Sequence, residues 1–374
     1  MTMQNVEKQP FSLEEYTLEC GETISVTIGF ETYGKLNAEK NNAILVCHFF
    51  SATSHAAGKY FPADEESGWW DQLIGPGKTM DTDRYFIIAS DTLCNIQLKN
   101  PHVITTGPGT INPKTGEKYG ITFPQFTYRD MAGIQYELVT SLGISRLAAV
   151  IGPSAGGMQA LNWAVHYPDM LEACVCVISG AQTPVLTSLA YLQSAIDAIT
   201  LDPKWKSGSY SEGSEPEAGL TLALSLMNLA AYQYGWYEEA FPRISNESKP
   251  YTSMEEQPSF QRQFRNMVTQ RMVPYDANHY IYTARAAMLH NIAHGFSSLE
   301  DALGRIKARL LMIPCTSDLL FPPEYSRQVV DIVTGHGGKA ECYEISSPYG
   351  HMAGVLDTGL FAEKLASFLN KAPE

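Results

Sequence analysis

Residues 147–164 read LAAVIGPSAGGMQALNWA, with Gly152, Pro153, Ser154, Ala155 and Gly156 spelling GxSxG at the centre. An apolar run precedes this pentapeptide, and Met158, Leu161 and Val165 follow at helical spacing. Between a strand and a helix such a turn holds its serine exposed, with glycines that let the backbone close tightly and a helix N-terminus aimed at the site. A serine hydroxyl is a weak nucleophile at its ordinary pKa, so the turn needs a base within hydrogen-bond reach and an acid to orient that base. The partners are expected later in the chain, in the order Ser, Asp, His, each past a strand. Asp318 follows the apolar run RLLMIPC, and His351 lies in the Gly-flanked SSPYGHMAG that follows AECYEI. Taken singly, Ser154 is a Gly-rich corner, Asp318 a helix N-cap ahead of Pro322 and Pro323, and His351 a loop histidine. Together, in register, they predict acyl transfer through an acyl-serine. That chemistry also needs N–H donors for the tetrahedral oxyanion, each worth roughly 3–4 kcal/mol. The backbone of Ala155 is expected to supply one and that of Phe50, in the loop 47–58, the other. His48 and His55 share that loop, but no third ligand stands at metal spacing, and Cys174-Val-Cys176 is not a CxxC pair; these residues are read as structural and no metal site or cofactor is expected.

Six short apolar runs are placed to carry these groups: 43–50, 85–90, 147–152, 173–179, 309–315 and 340–345. Their continuous hydrophobicity predicts strands buried on both faces, hence a parallel sheet covered by helices and an α/β fold. Residues 23–34 alternate instead and predict an antiparallel edge pair. Between Ser179 and Arg309 the strand rhythm stops. Helical stretches at 188–199, 218–241 and 280–293 are separated by polar, Gly/Pro/Ser-rich turns. This predicts a helical lid at 181–304 inserted into a core formed by 1–180 and 305–374.

With 374 residues, 44% hydrophobic and 18% charged, the chain has the composition of an ordered globular protein. A net charge of −14 with no basic stripe excludes a phosphate-backbone partner and leaves a small molecule as the substrate class. No stretch approaches the ~20 apolar residues of a membrane span, and MTMQNVEKQPFSLEEY has no apolar signal core. Seven cysteines, mostly in apolar runs, are expected to be reduced thiols in a cytoplasmic protein.

Nearly end to end the chain resembles the homoserine O-acetyltransferase family of α/β-hydrolases. The likeness rests on SHAAG (54–58), GWWDQLIGPGK (68–78), DTDRYFII (81–88), TTGPGTINPKTGEKYG (105–120), GPSAGGMQALNWA (152–164), AIDAITLDPKW (195–205), SDLLFPPE (317–324) and SPYGHMAG (347–354). The resemblance implies that Ser154 is acylated, that His351 is its base and then its acid, that Asp318 orients His351, and that the chain forms a homodimer. Three positions depart from the family. An Asp usually follows the catalytic His, where this chain has Met352, and a lid Arg ends the run matched here by GLTLAL, which closes on Leu224. A second lid Arg is replaced at Gln193. Losing a buried charge partner costs about 2–5 kcal/mol. The expectation is therefore a short-chain carboxylesterase or deacetylase acting on a small acyl ester, with water resolving the acyl-enzyme. The alternative is a true homoserine O-acetyltransferase whose acceptor is held by Arg243, Tyr232 or Tyr234, and a catalytically dead acyl-binding protein is the third reading.

Overall fold

The computed structural model describes residues 3, 5–244 and 246–371. Its main sheet has eight strands in the order β1-β2-β6-β3-β7-β8-β9-β10. The centre consists of β3 (Ala43–Cys47), β6 (Phe86–Ser90), β7 (Ala149–Pro153), β8 (Ala173–Val177) and β9 (Arg309–Ile313), all parallel, with β10 (Ala340–Cys342) at the edge. Every residue of β3, β7 and β8 is buried, as the unbroken apolar runs predict. The alternating segment forms β2 (Thr23–Tyr33), antiparallel to β6 on one side and to β1 (Gln9–Thr17) on the other. A side pair, β4 (Ile74–Gly75) and β5 (Met80–Asp81), stands apart. On the faces lie α1 (Tyr128–Ser141), α2 (Ala155–His166), α9 (Pro323–Gly335) and α10 (Ala362–Asn370). Thr127 and Asp130 form a reciprocal capping box at the start of α1.

Between β8 and β9 the chain is helical, with a π-helical turn, Thr187–Gln193, running into α3 (Ser194–Thr200). Next come α4 (Glu217–Ala231), α5 (Tyr234–Ala240), α6 (Ser259–Met272), α7 (Ala277–Met288) and the short α8 (Leu299–Leu303). The apolar stretch 218–241 is two helices rather than one. Tyr232 and Gln233 are extended, and the Gln233 side chain accepts from Gly235 N to start α5 afresh.

The loop 47–58 is fastened from below by a buried ionic cluster. Glu31, fully buried, accepts from Tyr60 (2.6 Å), Tyr33 (2.7 Å), Lys8 (2.9 Å) and His55 Nδ1 (3.0 Å). Lys8 also bonds Ser54 Oγ and Asp91, whose carboxylate accepts from Ser54 N at 2.8 Å. Burial alone would raise the Glu31 carboxyl, but the His55 hydrogen bond and the Lys8 charge override it and hold it at about 2, against an ordinary 4.5. A depressed carboxyl pKa stabilises the fold above the unfolded value and loses that contribution as pH falls toward the folded one, here between about 4.5 and 2. Glu31→Gln should cost about 3 kcal/mol near neutrality. In urea unfolding the gap between parent and variant should narrow as pH falls from 5 to 3; a gap independent of pH would count against this account.

Candidate active site

The strand β7 ends at Pro153 and α2 begins at Ala155, leaving Ser154 alone at the corner with φ 54° and ψ −119°. A positive φ costs an L-residue on the order of 1–2 kcal/mol and persists only where surroundings enforce it. Here Ser154 N donates to Val177 O of β8 (2.8 Å), and Ser179 Oγ donates to Ser154 O (2.8 Å). The flanking glycines permit the corner to close: a Cβ on Gly156 would stand 2.1 Å from Cys47 O, and one on Gly152 2.4 Å from the Gly156 carbonyl carbon.

Asp318 follows β9, and His351 lies in a 3-10 turn beyond β10. These two loops are stitched together. Cys315 and Ile345 form an isolated parallel bridge, Thr316 N donates to Ile345 O (2.9 Å), and Ser317 Oγ donates to Ser347 O (2.6 Å). The structure thus brings the three sequence-predicted residues into one chain of hydrogen bonds. Ser154 Oγ is 2.7 Å from His351 Nε2, and His351 Nδ1 is 2.7 Å from Asp318 Oδ2. The other carboxylate oxygen, Asp318 Oδ1, accepts from Leu320 N (2.7 Å) and Phe321 N (3.0 Å). Such a set can move a proton from a hydroxyl to an imidazole, and the buried carboxylate favours the imidazolium that forms.

Ser154 and His351 open into a cavity of about 150 Å³. Phe50 and Ala155 line it. Its wall is largely apolar, and both Leu224, on α4, and Met352 belong to it. Tyr232 corrects an expectation: it is 3% exposed, stacked on Trp236 at 3.9 Å, and does not line the cavity, because the break after α4 turns it into the packing of α5. Tyr234 is 78% exposed, and Arg243 lies over the Phe260 ring (5.0 Å) in a separate groove. Gln193 donates to Asp197 (2.7 Å). His48 Nδ1 lies 2.7 Å from Phe49 O, and burial lowers the His48 pKa. His55 serves the Glu31 cluster. Among the described residues no group of three or more His, Cys, Asp or Glu could hold a metal ion.

Arg271, at the end of α6, lines the cavity with Asn228 of α4 and Tyr275, and the sequence reading missed it together with its helix. A signal was present: Phe264, Met267 and Val268 recur at helical spacing and pack inward, and Arg271 stands three and four residues beyond the last two, on the same face.

The chain matches the family model described as alpha/beta hydrolase fold over residues 107–357. The homoserine O-acetyltransferase of Carboxydothermus hydrogenoformans is 36% identical over 97% of this chain and 95% of its own length. A crystal structure of homoserine O-acetyltransferase from Bacillus anthracis covers 100% of both chains at 53% identity and TM-score 0.98. Esterase E22 is also similar, at 40% identity and TM-score 0.94 over 98% of this chain and 100% of its own. The homoserine O-acetyltransferase matches are the stronger and overturn the expectation of a short-chain esterase or deacetylase. That expectation took the loss of charge at positions 224 and 352 to leave the cavity without a charged side chain, and Arg271 reaches it from another helix. Full-length likeness establishes that the chain is an α/β-hydrolase-superfamily enzyme and belongs to the homoserine O-acetyltransferase family.

Proposed function

We propose that the protein transfers an acetyl group from acetyl-CoA to the hydroxyl of L-homoserine through an acetyl-serine at Ser154. The observation that carries this reading is the Ser154–His351–Asp318 relay, at 2.7 Å for both links, in a chain matched over its full length by a homoserine O-acetyltransferase. In the first half-reaction Ser154 Oγ gives its proton to His351 Nε2 and attacks the thioester carbonyl. The backbone N–H groups of Phe50 and Ala155 hold the oxyanion, and the CoA sulfur leaves with the proton from His351. In the second, the homoserine hydroxyl gives its proton to His351 and attacks the acetyl carbon, and Ser154 leaves with that proton. Each half-reaction ends with the imidazole neutral.

The apolar wall supports transfer over hydrolysis, since few wall groups hold water near the acetyl-serine. The helices of 181–304 are the lid in this reading, supported by Leu224, Asn228 and Arg271 reaching the cavity from α4 and α6. Exposed Val185, Leu186 and Leu189 support a second copy of the chain as partner, which sedimentation velocity would read as a dimer. Seven cysteines without a disulfide support a cytoplasmic setting. Among the described residues no helix is long and apolar enough to cross a membrane. With acetyl-CoA and homoserine supplied together, mass spectrometry should find O-acetylhomoserine well in excess of free acetate. Acetate as the main product, at saturating homoserine, would sink the proposal.

A further inference from the structure

The cavity over Ser154 carries one permanent charge. Arg271 lines it, and among the described residues no Asp or Glu does so, nor does any carboxylate pair with Arg271. The guanidinium is held rather than loose: Arg271 Nη1 donates to Asn228 Oδ1 at 2.9 Å, and Asn228 Nδ2 donates back to Leu224 O of its own helix at 2.8 Å, which aims the Asn228 oxygen at Arg271. Asn228 engages one of the five guanidinium donors, so a planar anion can still be taken by two parallel hydrogen bonds. Tyr275 and Ser51 complete the polar corner. Burial raises the Tyr275 phenol, and the Ser51 hydroxyl and the Arg271 charge act against that rise.

We propose that Arg271, oriented by Asn228, binds the carboxylate of the acyl acceptor, and that the acceptor is recognised as a hydroxy carboxylate whose amino group meets no opposite charge in the cavity. This rests on the transferase reading above. Arg271 is itself exposed to solvent, so its selectivity for an anion rests on the fixed geometry of two parallel N–H donors at the cavity rather than on a dry surrounding. An ammonium in the same cavity finds only neutral oxygens and is repelled by the guanidinium. The acceptor therefore enters with its carboxylate at Arg271 and its hydroxyl toward His351. The phosphates of the acetyl donor share this anionic chemistry, so the test must separate donor from acceptor.

Three acceptors separate the two ends of the molecule: L-homoserine, 4-hydroxybutanoate without the amine, and L-homoserinamide without the carboxylate. Each is assayed with acetyl-CoA. In the parent enzyme 4-hydroxybutanoate should keep kcat/KM within about fivefold of homoserine, while homoserinamide loses about tenfold or more. Arg271→Gln should raise the homoserine KM about tenfold or more, well beyond any change in the acetyl-CoA KM, and Arg271→Lys should recover part of it. Homoserinamide used as well as homoserine, or an Arg271→Gln effect carried by acetyl-CoA, would overturn the proposal while leaving the transferase reading intact. Butanoate, which cannot accept acetyl, gives a readout that does not depend on transfer: its inhibition of p-nitrophenyl acetate turnover should weaken about tenfold in Arg271→Gln. If homoserine is not acetylated but that weakening is seen, the transferase reading falls and the anion site stands. If the inhibition is unchanged, the anion site falls.

Discussion

Ser154→Ala should lose roughly 10⁵- to 10⁶-fold in kcat and all covalent labelling by a fluorophosphonate probe, with a thermal unfolding curve close to that of the parent. The loss follows because Ser154 Oγ is the hydroxyl that His351 Nε2 bonds; what remains is catalysis by the oxyanion donors and by binding, on the order of 10³–10⁴ over water. The preserved fold follows from what holds the corner. Those contacts are backbone ones, Ser154 N to Val177 O and Ser179 Oγ to Ser154 O, and alanine keeps both as well as the Cβ. A variant that retains more than about a tenth of the parental rate would remove Ser154 from the mechanism.

For Asp318→Asn the expected loss is about 10⁴-fold, again without unfolding. The geometry says which way the amide must turn. Two backbone donors, Leu320 N and Phe321 N, point at Oδ1 and demand an acceptor there, so the asparagine oxygen takes that place and its NH₂ faces His351 Nδ1. An imidazole opposite a donor must leave Nδ1 bare and carry its proton on Nε2, the nitrogen that has to receive the serine proton. The base is then in the wrong tautomer although every atom is in position. Steady-state kinetics on Asp318→Asn, beside Asp318→Ala as a control lacking the amide, reads this; full activity in the asparagine variant would mean that a different carboxylate orients His351.

The relay was legible because chemistry constrained it three times over. Ser154 needed Gly152 and Gly156, and Asp318 and His351 each fell just past an apolar run that is a strand. The continuous apolar strands were legible for the same reason, that two covered faces leave no room for alternation. Strand β1, QPFSLEEYT, was not, since it sits at the edge with most side chains exposed or half-buried and owes its existence to pairing with β2. The wall of the cavity was read least well. Comparing Leu224 and Met352 with a family pattern asked whether two positions still held their charges, whereas a cavity wall is filled from whichever helix packs there. Helix α6 has a polar composition, SFQRQFRNMVTQRM, and only its packing against α4 brings Arg271 to the site.

The helical insertion also has a consequence for how the chain is made. Strand β8 pairs β9 residue for residue from Ala173 opposite Arg309 to Val177 opposite Ile313, yet roughly 130 residues separate the two strands in the chain. At about 5–20 residues per second a ribosome needs on the order of ten seconds to cover that distance. During that interval the sheet ends in Ala173–Val177, ACVCV, an apolar and uncharged edge with its backbone groups open on one side. The nascent chain is therefore most prone to strand-to-strand association midway through synthesis, and slowing initiation, so that fewer such chains coexist, should raise the yield of folded protein.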